Sequence, residues 1–201
     1  YNEIVSDYPE LIPFIKKYIG SSEFINGKMR YCLWMNEKEY QKVSYIQFLS
    51  DKVDAVKKLR LTSTSKSTVY TADFPYSFAV RGGYDEAYAA FKASGEDEFL
   101  QLVVPAVSSE SREYVPLGFV GEDTIVSNRC YVVYNSPIWL LGLLQSKLHM
   151  VWLAAIGGKL ETRYSYSSGV VYNTFPVPEL STRRKNMIEE QVFEILDLRE
   201  E

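Results

Sequence analysis

Residues 136–178 read SPIWLLGLLQSKLHMVWLAAIGGKLETRYSYSSGVVYNTFPVP, and the reading of this stretch decides the fold. Ser136 suits a helix N-cap, and Pro137 suits the first helical position, where its missing N–H costs nothing. From Ile138 to Ile156 the chain is apolar on nearly every face, which predicts one buried helix ended by Gly157 and Gly158. A membrane span is the rival reading. Gln145, Ser146, Lys147 and His149 lie in its middle, and a lysine there is costly in lipid, so a core helix is the better account and no membrane partner is expected.

Beyond the glycines, Lys159, Glu161, Arg163, Ser165 and Ser167 alternate with Leu160, Thr162, Tyr164, Tyr166 and Ser168. Alternation predicts a strand over 159–166 with Glu161, Arg163 and Ser165 on one face. That face offers an acceptor, a fork of donors and a hydroxyl, while Leu160, Tyr164 and Tyr166 supply packing. By spacing alone, a solvated face with a cross-strand ion pair is the simpler account. A second short strand closes on Phe175-Pro176.

A chain of 201 residues can bury one real core, or a domain plus an appendage. Its 46% hydrophobic and 24% charged content is that of a soluble globular protein. Sixteen tyrosines suit a surface that stacks and hydrogen-bonds. A net charge of −4 argues against indiscriminate coating of nucleic acid, but the acids cluster at 85–98 and near the C-terminus and leave room for a basic face. Cys32 and Cys130 sit in apolar contexts and read as reduced core thiols of a cytoplasmic protein. No signal peptide opens the chain, and the start at Tyr1 suggests a segment of something longer.

In chain order, residues 10–19 predict a short helix, 21–27 a loop with an Asn26-Gly27 turn, and 30–35 a strand. Val43, Ile46, Leu49, Val53 and Val56 recur at helical spacing, which predicts one amphipathic helix over 37–60. Its last turns carry Lys52, Lys57, Lys58 and Arg60, which complement the helix dipole or meet phosphates. The run TSTSKST around Lys66 reads as a polar loop, and the acidic, Tyr-rich segment to Gly95 as partly helical surface. Strands are expected at 99–107, 114–120, 125–126 and 130–134, with a polar connection, SSESRE, at 108–113. The fold class is α+β: a small, mostly antiparallel sheet packed on a buried central helix, with the long amphipathic helix before it. Thr182 is expected to cap a C-terminal helix over 183–199, whose apolar stripe needs a surface to dock on.

Catalytic patterns fail on their own terms. Asn135-Ser136-Pro137-Ile138-Trp139 imitates the D/N-P-P-Y/F/W motif of adenine methyltransferases but lacks the second proline, and no Gly-rich cofactor loop precedes it. Gly82-Gly83 has no strand-to-helix context. The single histidine, His149, falls inside the apolar helix and reads as a core residue rather than a base. Two cysteines and one histidine do not make a zinc site. The fragment is not expected to be an enzyme, nor to hold a metal or cofactor of its own.

The run GGKLETRYSYSSGVVYNTFPVPEL, with SKLHMVW before it and VVPAVSSESREYVPLGF and TIVSN further back, resembles the target-recognition domain of MmeI-type restriction–modification enzymes. The likeness extends from about Ile12 to Leu180. The ending is also similar to the half-repeats of type I specificity subunits. This resemblance implies a recognition domain over 1–180 and, at 181–201, the start of a C-terminal helical or spacer region. It implies double-stranded DNA as partner, together with the methyltransferase domain of the same parent chain. The parent would be an adenine-specific enzyme using S-adenosylmethionine, with Mg as the further cofactor, and fused to an endonuclease.

In that family an acidic-x-basic pair before an R-Y-x-Y-S strand is implicated in reading one base pair, and it aligns with Glu161 and Arg163. Ser165 and Arg129 resemble a second pair for a neighbouring base. The SSExRxY segment makes Ser109, Arg112 and Tyr114 DNA-facing candidates, although Arg112 pairing with Glu110 or Glu113 fits the sequence equally well. Lys159, Lys57, Lys58 and Lys66 would be positioning contacts to the backbone. The competing reading is a protein–protein or scaffold domain that keeps the fold without reading DNA.

Overall fold

In the computed structural model, which describes residues 1–200, the chain opens with α1 (Asn2–Asp7) and a 3-10 turn at Pro9–Phe14 before β1 (Ile15–Ile19). There follow α2 (Ser21–Asn26), β2 (Tyr31–Leu33), α3 (Glu37–Val43), α4 (Gln47–Leu61), α5 (Lys66–Tyr70) and α6 (Tyr84–Ser94). Five strands come next: β3 (Gln101–Pro105), β4 (Val107–Ser108), β5 (Gly118–Val120), β6 (Thr124–Val126) and β7 (Cys130–Tyr134). The chain ends with α7 (Ile138–Leu144), α8 (Lys147–Ile156), β8 (Gly158–Leu160), β9 (Arg163–Ser165), a π-turn at Ser168–Tyr172 and α9 (Thr182–Glu200). The mixed α+β class is the one expected. Two compact units divide the residues: 1–17 with 31–83, and 18–30 with 84–201.

In the first unit, residues 15–17 pair antiparallel with β2, Ile15 opposite Leu33 and Lys17 opposite Tyr31. This replaces the helix expected over 10–19: Pro13 sits in the 3-10 turn, and the residues after it satisfy their backbone on a distant strand. The helix expected over 37–60 is two helices. Asn36 caps α3 reciprocally with Glu39 (3.0 and 2.7 Å), and α4 starts anew after an extended Ile46. Val43, Ile46, Leu49 and Val53 are nonetheless all buried, in a core with Leu11 and Met35. The apolar stripe holds although the helix axis does not continue. Part of the expected 61–69 loop is helical, as α5.

Arg60 closes this unit. Its guanidinium donates to the carbonyls of Thr71 (2.7 Å), Phe74 (3.2 Å) and Ser77 (2.7 Å), and burial lowers its pKa. One planar fork serves three carbonyls, a geometry that an ammonium does not reproduce. Arg60→Lys is therefore expected to destabilise this unit by about 2 kcal/mol, read as a fall in urea midpoint.

In the second unit β3 is the middle strand of the sheet β5–β3–β7, antiparallel on both sides, with Leu102 opposite Phe119 and Val133. Both faces of β3 are covered. Leu102 and Val104 join a core with Leu141, Leu144, Leu153 and Val192, while Val103 packs on Ile19 and Cys130. The strand expected over 99–107 breaks at Ala106, whose N–H donates to the Arg129 carbonyl (3.0 Å) and whose carbonyl accepts from Tyr166 N–H (2.8 Å). The chain thereby passes from one sheet to the next, β4–β9–β8. Of the strand expected at 114–120 only β5 forms, although Val115 and Leu117 are buried. Where a loop was expected at 21–27 there is α2, started by the Glu23 carboxylate on Gly20 N–H (3.0 Å) and stopped by Gly27 at φ 62°.

The central helix also departs from expectation. It breaks at Gln145-Ser146 into α7 and α8, bent by 57°, because the Ser146 hydroxyl accepts from His149 N–H (3.2 Å) and caps a new helix. Ser136 does not cap α7; an extended Pro137 precedes its first residue. Nor is α8 buried all round: His149 and Leu153 are, but Leu148 and Val151 are 64% and 60% exposed. Among the described residues no single helix is long and apolar enough to cross a membrane. Helix α9 docks on α7, placing Val192, Ile188 and Leu196 in the core, with Ser181 rather than Thr182 accepting at its start, from Arg184 N–H (3.4 Å).

Candidate nucleic-acid interface

The strand expected over 159–166 is a hairpin. Gly157 lets the chain leave α8, since a Cβ there would lie 2.4 Å from the Leu153 carbonyl oxygen. β8 then runs to Leu160, two residues turn, and β9 returns with Leu160 opposite Arg163, Lys159 opposite Tyr164 and Gly158 opposite Ser165. Glu161 takes the first turn position at φ 59°, a conformation that favours glycine. The reversal changes the expected faces. Arg163 and Ser165 do share one, but Leu160 joins them, and Lys159 lies on the other face with Tyr164.

At the tip the Glu161 carboxylate accepts from the Arg163 guanidinium, Oε2 to Nη2, at 2.7 Å. Both side chains stand in solvent, 76% and 46% exposed respectively. An ion pair so placed contributes little to stability. The base of the hairpin is firm by contrast. β9 pairs with β4, Ser108 opposite Tyr164, and Tyr166 is buried with its hydroxyl 3.0 Å from His149 Nε2. His149 is fully buried, and desolvation pushes its pKa down to about 4. It is the core residue expected, not an exposed base in a cleft.

The 108–113 connection stands beside the tip. Thr162 Oγ1 donates to Glu110 Oε1 at 3.0 Å, and the hydroxyls of Ser109 and Ser111 lie 2.9 Å apart. Glu110 and Thr162 were not among the residues singled out in the sequence. The signal available was the polar run after a strand, but its acid pointed equally to Arg112. Among the described residues no ion pair joins Arg112 to Glu110 or Glu113. Arg112 instead lines a cleft of about 750 Å³ with Tyr114, Glu98, Phe119, Phe193 and Arg199. Arg129 lies just before β7 with its side chain exposed, and only Ala106 separates its carbonyl from the Tyr166 N–H.

The structure thus brings Lys159, Glu161, Arg163, Ser165 and Ser109 to one hairpin and the loop beside it. Lys57, Lys58 and Lys66 are exposed on α4 and α5 of the first unit. Asn135 turns at φ 48° and donates to Glu96, so the segment imitating a methyltransferase motif is the lead into α7. Gly82-Gly83 precedes α6 but follows no strand.

A solvated carboxylate–guanidinium pair thus stands at the tip of a hairpin whose base is paired and buried. The chain belongs to the family of MmeI target recognition domains, whose family model matches residues 1–179. It is 48% identical over all its 201 residues to DNA methyltransferase A of Bacillus subtilis (strain 168), of which it spans 21%. It superposes with a TM-score of 0.84 and 31% identity over 99% of its length on the type IIL restriction–modification enzyme MmeI, solved in complex with DNA, of which it spans 25%.

Proposed function

We propose that this chain reads the sequence of double-stranded DNA for a larger parent enzyme, an adenine-specific methyltransferase of a restriction–modification system. The observation that carries the reading is the Glu161–Arg163 pair at the hairpin tip, solvated and held by a strained turn. The contact between them uses Oε2 and Nη2, which leaves Oε1 and the rest of the guanidinium edge for a base pair. A carboxylate accepts from cytosine N4, and a guanidinium donates to guanine O6 and N7, so the pair suits one C·G in the major groove. Ser165 and Arg129 serve a neighbouring base. Lys159, Arg112, Ser109, Lys57, Lys58 and Lys66 meet phosphates and carry no sequence information.

Family membership, the name of the Bacillus subtilis relative and the DNA-bound MmeI structure support this reading. Residues 1–180 carry the recognition function, and the helix after them packs on the same core and leads toward a helical spacer of the parent chain. The partner within the parent is its methyltransferase domain, which uses S-adenosylmethionine; a linked endonuclease would use Mg. The residues here do not fit S-adenosylmethionine, since Gly82-Gly83 lacks a preceding strand. The parent works in the cytoplasm.

The test is made in the intact parent by mapping the methylated motif in host DNA for the natural enzyme and for Glu161→Lys with Arg163→Asp. One motif position is expected to switch while the others persist, each lost bidentate contact costing about 1–3 kcal/mol of discrimination. An unchanged motif would remove Glu161 and Arg163 from the reading. A natural parent that methylates nothing would favour the scaffold role instead.

A further inference from the structure

We propose that Glu110 is a positioning residue for the reading pair, acting through Thr162 to hold the two-residue turn that carries Glu161. This rests on base reading by Glu161 and Arg163. The turn needs such a hold. Glu161 at φ 59° adopts a backbone that a non-glycine residue disfavours, and its carboxylate aims at a base edge only while the turn keeps that shape.

Within the hairpin the Leu160–Arg163 register closes the loop, but it leaves the Thr162 side chain free to choose a partner. Its hydroxyl chooses Glu110, 52 residues away in sequence. Glu110 can serve as an anchor because its own loop is tied down. Arg112 N–H donates to the Ser109 carbonyl (3.3 Å), Ser109 and Ser111 share a hydroxyl contact, and β4 just before them is paired to β9.

Charge supports the same arrangement. The Glu110 carboxyl is held below the usual carboxylate range by its own backbone N–H and by the Thr162 hydroxyl, with Arg163 and Lys159 adding to the effect. The tip therefore carries two carboxylates, Glu110 and Glu161, and two cations, Lys159 and Arg163. Glu161 takes the guanidinium directly, and Glu110 takes the turn.

The experiment measures methylation by the intact parent on its cognate duplex and on duplexes altered at one motif position at a time. Glu110→Ala and Thr162→Val are each expected to weaken discrimination about tenfold, and only at the position switched by the Glu161→Lys, Arg163→Asp pair, within the worth of one base contact. Glu110→Gln, whose amide oxygen still accepts from Thr162, is expected to keep most of it. The double variant Glu110→Ala, Thr162→Val should lose little more than either single change, since both cut one link. Both residues are exposed, so none of these changes empties the core.

A uniform change at every position, or none, would overturn the positioning role. So would a Glu110→Ala effect at a different position, which would make Glu110 a reader in its own right. If the charge swap at 161 and 163 leaves the motif unchanged, base reading itself fails; if the swap switches the motif while Glu110→Ala and Thr162→Val are silent, only positioning fails.

Discussion

Equilibrium unfolding is expected to lose about 3 kcal/mol of stability between pH 6.5 and pH 4 on account of His149 alone. The imidazole is fully buried, with Tyr166 on Nε2, the Phe175 ring edge-on at 4.5 Å and, among the described residues, no partner on Nδ1. Desolvation lowers its folded pKa to about 4, against 6.5 when free. Above pH 6.5 both states carry a neutral ring, and His149 adds no pH dependence. As the pH falls through the window, the unfolded chain takes up a proton that the native ring refuses, so unfolding gains. Below about pH 4 the native ring protonates too, and the slope ends.

Urea unfolding of the natural chain and of His149→Leu at pH 7.5, 6 and 5 checks this. The difference between the two should shrink or reverse as the pH falls, and a constant difference would mean that His149 titrates normally. Glu23 and Glu110, two carboxyls held below their usual range, lose their contributions only as the pH falls below about 4.5 and do not act at pH 5 or above. Tyr166→Phe leaves both ring nitrogens unpaired and should cost about 1–3 kcal/mol even at neutral pH. The consequence reaches the β8–β9 hairpin, because Tyr166 directly follows β9 and its N–H anchors on Ala106.

The elements legible in the sequence were those whose partners are close or whose pattern has one solution. β7 is such a case, and so are the buried positions Val43, Ile46, Leu49 and Val53. The breaks were not legible. Gln145-Ser146 and Ser44-Tyr45-Ile46 interrupt helices without interrupting the apolar rhythm, and a serine inside an apolar run does not announce that it will cap. β1 escaped because its residues suit a short helix as well as a strand, and pairing with β2 overrode that local pattern.

The hairpin was concealed for another reason. Alternation through Leu160-Glu161-Thr162-Arg163 fits a straight strand as well as a two-residue reversal, and the usual glycine, asparagine or aspartate of such turns is missing. The contact between Glu161 and Arg163 fits the ion pair that the alternation allowed. The bond from Thr162 to Glu110 was not legible, because a hydrogen bond spanning 52 residues leaves no local trace.

Gly142→Val is expected to destabilise the second unit by about 3 kcal/mol, although a glycine leaves the middle of a helix. Exchanging glycine for valine in α7 returns only about 0.5 kcal/mol of helical preference. Against that, a Cβ at 142 would lie 2.5 Å from Cγ2 of Ile188 and 2.9 Å from Cγ2 of Val192, both on α9. Val192 is fully buried, so α9 has to lift for the new side chain to enter. Lifting it also strains the hydrogen bond from Arg199 Nη1 to the Leu117 carbonyl (2.9 Å) and uncovers Leu141 and Leu144.

A double-mutant cycle isolates the contact. Gly142→Ala with Ile188→Ala should be less destabilised than the sum of the single changes by at least about 1 kcal/mol, because Ile188→Ala removes the nearer methyl. Strict additivity would mean that α7 and α9 do not touch at Gly142. The family model stops at residue 179, yet Ile188, Val192 and Leu196 complete the core on which the β8–β9 hairpin stands. Helix α9 is a structural part of the second unit, whatever it leads to in the parent chain.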